Sequence, residues 1–482
     1  MNPLILEITV VCLGIFLLMV EAFFNKAPKS VVAYGGILGL TVVLVMSFFV
    51  DPTAIPLDSS LARFYLLDPV ALLFKQFALV CTIFVLVLSL EYAPLVERFI
   101  PGVGKGAGVG EFFVLPLFTC AGLMWMVSAA DFVAIFVSLE LVTISFYVLV
   151  AYLRWSPTGL EAGTKYLILG ALSTGFLVYG ITWIFGVTGQ TSLAGIAQIL
   201  PLMPPVNLTA LMFGVALVLV ALGFKVAAVP FQFWVPDVYQ GAPTPVTAYL
   251  SIASKAAGFV VLLRVLEPFY VLPVVQTKLV LALSVMAGLT LIYGNLAAMP
   301  QKNFKRLLAY SSIGHAGYLL MGVASIGAAM AGAAISFYLV AYLFTTMLAF
   351  FVLVIAARSV GGDEIANFNG LAKRAPWLSA AMLLSMLSLA GIPFTAGFLG
   401  KLFIFQTALA EGHLWLVAIG AITVAAGFYY YLQSVRAMYW QVAPEGLAPI
   451  EVSMASKISM GLMAAVILVL GVYPQPVLGL FN

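Results

Sequence analysis

The stretch LVALGFKVAAVPFQFWVPDVYQGAPTPVTAYLSIASKAAGFVVLLR, residues 219–264, decides the fold of this chain. It contains two apolar segments with one lysine each, Lys225 and Lys255, on either side of a region with four prolines. Because proline breaks helices, we expect the first segment to be a broken helix. A charge at the centre of a membrane helix costs roughly 2.5 to 3.5 kcal/mol, so both lysines need water, a partner or a function.

The composition indicates a polytopic membrane protein. Of the 482 residues, 64% are hydrophobic and 8% are charged, which is far from the range of a soluble globular protein. Long apolar runs alternate with short polar or Pro/Gly-rich breaks, a pattern that favours membrane helices over a β-barrel. The net charge of +3 gives no reason to expect a nucleic acid partner.

We predict an all-α fold with about fourteen transmembrane helices, since each apolar run is near or above the ~20 residues that cross a bilayer. The first run has Glu7 inside it and no basic leader, so we expect a retained helix instead of a signal peptide. The predicted spans are 3–24, 30–50, 67–90, 111–129, 131–153, 161–187, 207–240 (broken), 245–266, 273–298, 304–326, 330–357, 376–411 (broken), 414–440 and 457–480.

The basic residues in the loops and toward the ends of the spans predict the orientation. Loops after even-numbered spans hold only Arg63, Arg264 and Lys278, so the loops after odd-numbered spans should face the cytoplasm and both termini the opposite side. The basic residues of the odd-numbered loops are Lys26, Lys29, Arg98, Lys105, Arg154, Lys302, Lys305, Arg306, Arg358, Lys373, Arg374, Arg436 and Lys457.

Once these residues are counted with the loops, the basic residues that remain inside the predicted spans are all lysines: Lys75, Lys165, Lys225, Lys255 and Lys401. This bias suits proton chemistry, because a buried lysine can release its proton whereas arginine stays charged.

Glu140 lies near the middle of the fifth span, where it needs a cationic partner. Lys225 is the natural candidate, and the pair is either part of a proton relay or a static structural ion pair. For Lys165, near a cytoplasmic end, the alternatives are a relay role or snorkelling to the interface. For Lys75 we expect a helix-packing role. His315 in AYSSIGHAGYLL is either a core residue or, given the neighbouring hydroxyl groups, part of a hydrated path.

The twelfth span repeats the design of the seventh. In MLSLAGIPFTAGFLGKLFIF, Gly391 and Pro393 break the helix and Lys401 follows. Two broken spans with one lysine each, separated by five spans, predict two inverted five-helix repeats, helices 4–8 and 9–13; the alternative is two ordinary proline kinks. The predicted domains are 1–110 with three helices and a Gly-rich loop, 111–268 and 269–441 with the two repeats, and 442–482 with the last helix.

No other motif carries chemistry. The run PGVGKGAGVG at 101–110 has Gly106 where a phosphate-binding loop needs Ser or Thr, so we interpret it as a flexible loop. There is no catalytic triad, zinc-ligand spacing or dinucleotide fingerprint, so any redox chemistry must be done in another chain.

Three runs, GFKVAAVPFQFWVPDVYQGAPTPVTAYLSIASK, NFKRLLAYSSIGHAGYLL and LSLAGIPFTAGFLGK, resemble the antiporter-like membrane subunits of respiratory complex I, the proton-pumping NADH:quinone oxidoreductase. The resemblance covers most of residues 111–440. It is closest to the N type, because of the PDVYQGAP run, because Lys401 stands where the M type carries glutamate, and because no long lateral helix follows the fourteenth span.

This resemblance implies a role for each buried ionisable residue. Glu140 matches the glutamate that pairs with the seventh-helix lysine, here Lys225. Lys255 matches the central lysine of the eighth helix, and Lys401 matches the residue at the exit half-channel. In this family a proton is loaded from the cytoplasmic side near Lys225, passes Lys255 and waters with help from His315, and leaves past Lys401.

The resemblance further implies a bacterial inner-membrane subunit that binds no cofactor itself, with NADH, FMN, iron–sulfur clusters and quinone handled by other subunits. The expected partners are the M subunit, the small K, J and A-type subunits and the lipid bilayer. A subunit of a multi-subunit cation/proton antiporter is the alternative, and it would transport sodium without quinone reductase activity. A purely structural scaffold is the third hypothesis, which the buried lysines oppose.

Overall fold

The structure is a computed structural model that describes residues 4–24, 28–51, 61–100, 108–442 and 450–481. Lys26 and Lys105, which we assigned to cytoplasmic loops, lie outside the described residues, as does most of the Gly-rich run 101–110.

The regular elements in the described part of the chain are all helices. The helices are α1 Ile5–Phe23, α2 Ser30–Ser47, α3 Pro69–Phe99, α4 Val109–Ser128, α5 Phe132–Val150, α6 Pro157–Thr188, α7 Leu193–Ile199, α8 Leu208–Val226, α9 Trp234–Gly241, α10 Thr244–Tyr249, α11 Lys255–Leu266, α12 Pro273–Ala298, α13 Phe304–Ala324, α14 Ala331–Val360, α15 Leu371–Arg374, α16 Pro376–Ala390, α17 Ala396–Ala410, α18 Leu414–Trp440, α19 Met454–Val472 and α20 Gln475–Leu478.

Within the described residues, 13 helical segments are long and apolar enough to cross a membrane. They account for every predicted span except the twelfth, whose two halves, α16 and α17, are each 15 residues long and so too short to be counted alone. The prediction of an all-α membrane protein is therefore confirmed.

The first break lies where the prolines placed it. Helix α8 ends at Val226, Ala227 takes a left-handed conformation (φ 66°), and α9 begins only at Trp234.

The next span is also irregular, which the sequence did not lead us to expect. A π-helical turn, Leu250–Ser254, separates α10 from α11. Such turns inside α-helices are frequently found at functional sites.

The second break lies between α16 and α17. Gly391 ends α16 with φ 91°, a conformation that glycine adopts without steric strain. Phe394 follows with φ 68°, and α17 starts at Ala396. The Gly391 and Pro393 pair thus ends one half-helix before the other begins, as we predicted.

The chain divides into two compact units. The first comprises the chain up to Ala227 and Gly241–Val280, and the second comprises Ala228–Gln240 and the chain from Leu281 onward. In the first unit α6 and α8 pack very closely at two glycines. A Cβ atom on Gly180 would lie only 2.8 Å from the carbonyl oxygen of Gly214. In the second unit α13 and α14 are almost wholly buried. The domain boundaries given above stay a prediction.

Candidate functional site

Lys225 occupies the last turn of α8, directly before the break, and its side chain is buried. A cation is favoured there because the carboxyl end of a helix carries partial negative charge. The ammonium Nζ lies 3.4 Å from the hydroxyl of Thr143 on α5. Its stem passes α11, where a Cβ atom on Gly258 would lie 3.2 Å from its Cγ. The sequence break thus presents the ammonium to the interior of the first unit.

Glu140 is half-buried on α5 and accepts a hydrogen bond of 2.8 Å from the hydroxyl of Thr174 on α6. Among the described residues it makes no direct ion pair with Lys225, whose hydrogen bond goes to Thr143 instead. Glu140 is still close enough to act electrostatically on the Lys225 ammonium. That Glu140 is the electrostatic partner of Lys225 stays a prediction.

A small cavity of about 20 Å³ lies beside Lys225 and Thr174, the residue that donates to Glu140. That volume is enough for one water, which needs about 10–15 Å³. Its polar lining includes Lys225, Thr143, Thr174 and Ser173. A water in the cavity would therefore have several hydrogen-bond partners. The complete lining is Leu139, Thr143, Tyr166, Gly170, Ser173, Thr174, Leu177, Ala221, Phe224 and Lys225.

Lys255 is the first residue of α11, directly after the π-helical turn, and it is 2% exposed. The buried hydroxyls of Ser251 and Ser254 lie in that turn. Lys255 and Lys225 belong to the same unit, and the Lys225 stem packs one helical turn beyond Lys255, at Gly258. The geometry therefore brings the two central lysines to adjoining helices.

Lys165 lies apart from these buried groups. Its ammonium pairs with Glu161 at 2.7 Å, one turn earlier on α6, and its side chain is 41% exposed in this chain. This position is compatible with the snorkelling alternative, and a relay role for Lys165 stays a prediction.

In the second unit, His315 on α13 is 5% exposed, with tyrosine hydroxyls at both ring nitrogens. Its Nδ1 lies 2.6 Å from the hydroxyl of Tyr338, and its Nε2 lies 3.1 Å from the hydroxyl of Tyr431. The Tyr431 hydroxyl also contacts that of Ser311. His315 therefore belongs to a buried chain of groups that can both donate and accept a proton.

Lys401 on α17 reaches back across the second break. Its ammonium donates to the carbonyl oxygens of Leu389, at 2.8 Å, and Ala390, at 2.9 Å, in the last turn of α16. It also lies 5.1 Å from the centroid of the Tyr318 ring. The last carbonyls of a helix lack partners within that helix, so Lys401 satisfies two of them.

A second cavity, of about 10 Å³, is lined both by His315 and by residues next to Lys401. His315 and Tyr338 line one side, and Leu389 and Gly400 line another. Leu389 is an acceptor of the Lys401 ammonium, and Gly400 is its chain neighbour. The remaining lining is Ala341, Tyr342, Thr345, Ser388 and Gly397, in which Thr345 and Ser388 share a hydrogen bond of 3.0 Å.

Two groups of residues at the site were not predicted from the sequence. One is the set of tyrosines around His315, which read as ordinary core residues in apolar helices. The other is a buried cluster of Glu7, Tyr65 and Lys75, in which Lys75 forms an ion pair with Glu7. Both charged residues were visible as isolated charges in apolar spans, but 68 positions separate them in the sequence.

Within the described ranges, no group of three or more His, Cys, Asp or Glu side chains is placed to hold a metal ion.

Comparisons with known proteins give one consistent family. Residues 129–427 match the model of the NADH:quinone oxidoreductase/Mrp antiporter transmembrane family. A protein of Heliobacterium modesticaldum named NADH-quinone oxidoreductase subunit N is 39% identical over 98% of this chain and 96% of its own length. The protein of the same name from Moorella thermoacetica is 37% identical over 99% of this chain and 96% of its own length.

Solved structures agree with this relationship. A chain of respiratory complex I from Thermus thermophilus is 31% identical, with a TM-score of 0.80 and 98% of both chains covered. A chain of the archaeal membrane-bound sulfane sulfur reductase is 26% identical, with a TM-score of 0.85 over 99% of this chain and 95% of that one. A chain of the Mrp complex from Dietzia sp. DQ12-45-1b, at 20% identity and a TM-score of 0.83 over 99% and 95% of the two chains, shares the fold.

Proposed function

Because this chain belongs to the NADH:quinone oxidoreductase/Mrp antiporter family and is related to its N subunits over nearly its whole length, we propose that it is a proton-translocating membrane subunit of an NADH-quinone oxidoreductase. Quinone reduction by other subunits drives the translocation. The buried lysines of this chain take up and release the protons.

One observation carries the proposal: each unit holds a buried lysine at the carboxyl end of a half-helix. Lys225 lies in the last turn of α8, and Lys401 donates to the last turn of α16. Broken helices with ionisable groups at their ends are how membrane transporters build ion sites. The buried position is costly for a charge and therefore needs a functional reason.

The proposed path uses the groups of both units. In the first unit a proton is loaded near Lys225, with Glu140 stabilising the ammonium through the threonines and the water-sized cavity, and it moves on to Lys255. In the second unit His315 and its tyrosines carry it toward Lys401, from which it is released. Lys165 is a further candidate at the uptake side.

The assembly around the chain follows from the same premise. Other subunits of such a complex are its partners, and we propose the M subunit and the small K, J and A-type subunits among them. We further propose the bacterial inner membrane as its location, with both termini on the non-cytoplasmic side, and the two five-helix repeats 111–268 and 269–441 as its domains.

The test is proton translocation by the purified complex in proteoliposomes, with NADH as donor. Lys225→Ala should leave the complex assembled but lower both the protons moved per NADH and the coupled quinone reductase rate. The control is Lys278→Ala on α12, because Lys278 is exposed and has no place in the path. A normal proton yield in Lys225→Ala would remove this lysine from the function.

The same preparation separates the alternative, a subunit of a cation/proton antiporter. That alternative requires sodium-dependent proton movement in vesicles without NADH or quinone. Translocation that depends on NADH and is indifferent to sodium supports the proposed function.

A further inference from the structure

A buried cluster outside the proposed path joins α1 to α3 in the first unit. Glu7 on α1, Lys75 on α3 and Tyr65 just before α3 are each at most 2% exposed. The Lys75 ammonium contacts both Glu7 Oε1 and the Tyr65 hydroxyl, and that hydroxyl donates to the same Oε1 at 3.0 Å. Two donors thus converge on one carboxylate oxygen.

The second carboxylate oxygen of Glu7 has different surroundings. Oε2 is buried and has no hydrogen-bond partner in the part of the chain that the structure describes. A cavity of about 230 Å³ lies beside Glu7, lined by Leu4, Glu7, Ile8, Val11, Cys12 and Trp125. An unpaired buried carboxylate oxygen is costly, and the cost falls when the oxygen takes up a proton or binds water. Glu7 therefore has an ion pair on one side and, on the other, a cavity whose remaining lining is apolar.

The charges that face the cluster from neighbouring elements are balanced. Asp68, which caps α3, forms an ion pair of 2.8 Å with Arg264 at the end of α11. The other titratable groups nearby are the thiols of Cys12 on α1 and Cys120 on α4. Tyr65 lies outside the membrane-spanning helices, and burial together with the Glu7 carboxylate raises its pKa above the ordinary phenol value. Its hydroxyl therefore stays protonated and acts as the donor to Glu7.

Helix α3 also links the cluster to the segment that carries Lys255. Thr82 lies two turns beyond Lys75, about 10 Å along the helix. Its hydroxyl is 2.7 Å from the hydroxyl of Tyr249, the last residue of α10. The chain then runs through the π-helical turn into Lys255. The helix that carries Lys75 is thus hydrogen-bonded to the segment that leads into Lys255.

We propose that Glu7, Tyr65 and Lys75 form a further proton-binding site of the first unit, which releases protons on the side where α1 begins. The Lys75 ammonium gives its proton to the Glu7 carboxylate, which leaves a neutral amine and a neutral acid. The acid then releases the proton to solvent water beyond the first turn of α1, in which Glu7 lies, and the amine takes up the next proton from the direction of Lys255. The inference rests on the proposed function, because it adds a release site to the same translocation.

The intact complex in proteoliposomes tests this site. Glu7→Gln and Lys75→Met should each lower the protons translocated per NADH. The matched control is Glu21→Gln at the other end of α1, because Glu21 forms an ion pair of 2.5 Å with Lys29 and has no part in the proposed site. Infrared difference spectra of the working complex should show a protonated carboxyl signal that Glu7→Gln abolishes and Glu21→Gln retains. An unchanged proton yield in Glu7→Gln overturns the proposal.

If the Glu7 and Lys75 variants fail to assemble, Tyr65→Phe decides, since it removes one donor to Glu7 and leaves both charges in place. We expect a shifted carboxyl signal and a lower proton yield, and a normal signal with a normal yield overturns the proposal. Lys225→Ala in the same assay separates the two claims. A lower proton yield in Lys225→Ala together with a normal proton yield in Glu7→Gln refutes the release site alone. Normal proton yields in both variants refute the proposed function.

Discussion

The ammonium of Lys401 lies 2.9 Å from the carbonyl oxygen of Ala390, the last residue of the half-helix before it. Lys225 also lies at the end of a half-helix, although it precedes its break whereas Lys401 follows. The order of lysine and break is reversed between the two spans, yet each lysine belongs to the same kind of helix terminus. The partial negative charge of that terminus favours the ammonium, so helix geometry replaces part of the lost hydration.

Lys401→Ala removes the donor to both carbonyls of the last turn of α16. Hydrogen bonds to charged groups contribute roughly 1.5–3 kcal/mol each, so we expect a lower thermal midpoint of the purified complex as well as weaker proton translocation. Lys401→Arg should recover most of the stability, because arginine also donates, but not the translocation, because arginine keeps its proton. Recovery of both by arginine would reduce Lys401 to a structural cap.

Glu140→Gln keeps the volume of the side chain and its bond to Thr174 while it removes the charge. The Lys225 ammonium then loses electrostatic support, and we expect a lower proton yield per NADH. Glu140→Asp keeps the charge and should have a milder effect. Proton yields measured in parallel on both variants provide the check, and equal, near-normal yields would show that charge at this position does not matter.

Lys255→Arg tests whether the central lysine has to release its proton. Arginine would serve as a fixed positive charge at least as well as lysine, but it cannot transfer a proton. We expect the variant to assemble, as judged by native electrophoresis, and to pump as poorly as Lys255→Ala. Full pumping by the arginine variant would assign Lys255 a fixed-charge role.

Tyr338→Phe and Tyr431→Phe each remove one hydroxyl from His315. The expected loss of stability is small, about 0.5–1.5 kcal/mol per hydrogen bond, whereas the loss of translocation should be much larger. Tyr152→Phe is the matched control, because its hydroxyl donates to the carbonyl oxygen of Gly108 in the first unit and not to His315. Equal proton yields in all three variants would contradict a role for the tyrosines in the path.

The sequence was sufficient to predict the spans, both breaks and the burial of Lys225, Lys255 and Lys401, because charges and prolines stand out in apolar helices. The Gly391 and Pro393 pair and the proline-rich region after Lys225 each interrupt a span where we expected. The π-helical turn before Lys255 was not predictable, since Leu250–Ser254 contains neither glycine nor proline.

The partners of the ionisable residues were predicted less well than the residues themselves. Glu140 bonds to Thr174, and the contact of Lys75 with Glu7 depends on how α1 packs against α3. Such pairings arise from tertiary packing between distant segments, about which local periodicity carries no information. Tyr338 and Tyr431 were missed for a related reason, because an aromatic residue in an apolar helix has the same pattern whether or not its hydroxyl has a function.

The two tyrosines at His315 limit that residue to one proton passage at a time. A neutral imidazole has one N–H and one bare nitrogen, so one of the two hydroxyls, of Tyr338 or Tyr431, must accept while the other donates. When a proton enters at one ring nitrogen and leaves from the other, the ring ends in its opposite tautomer and both hydroxyls point the wrong way for a second passage. Each turnover therefore has to include a reset in which the imidazole returns to its first tautomer and both hydroxyls rotate back, and until then a second proton cannot follow along the same path.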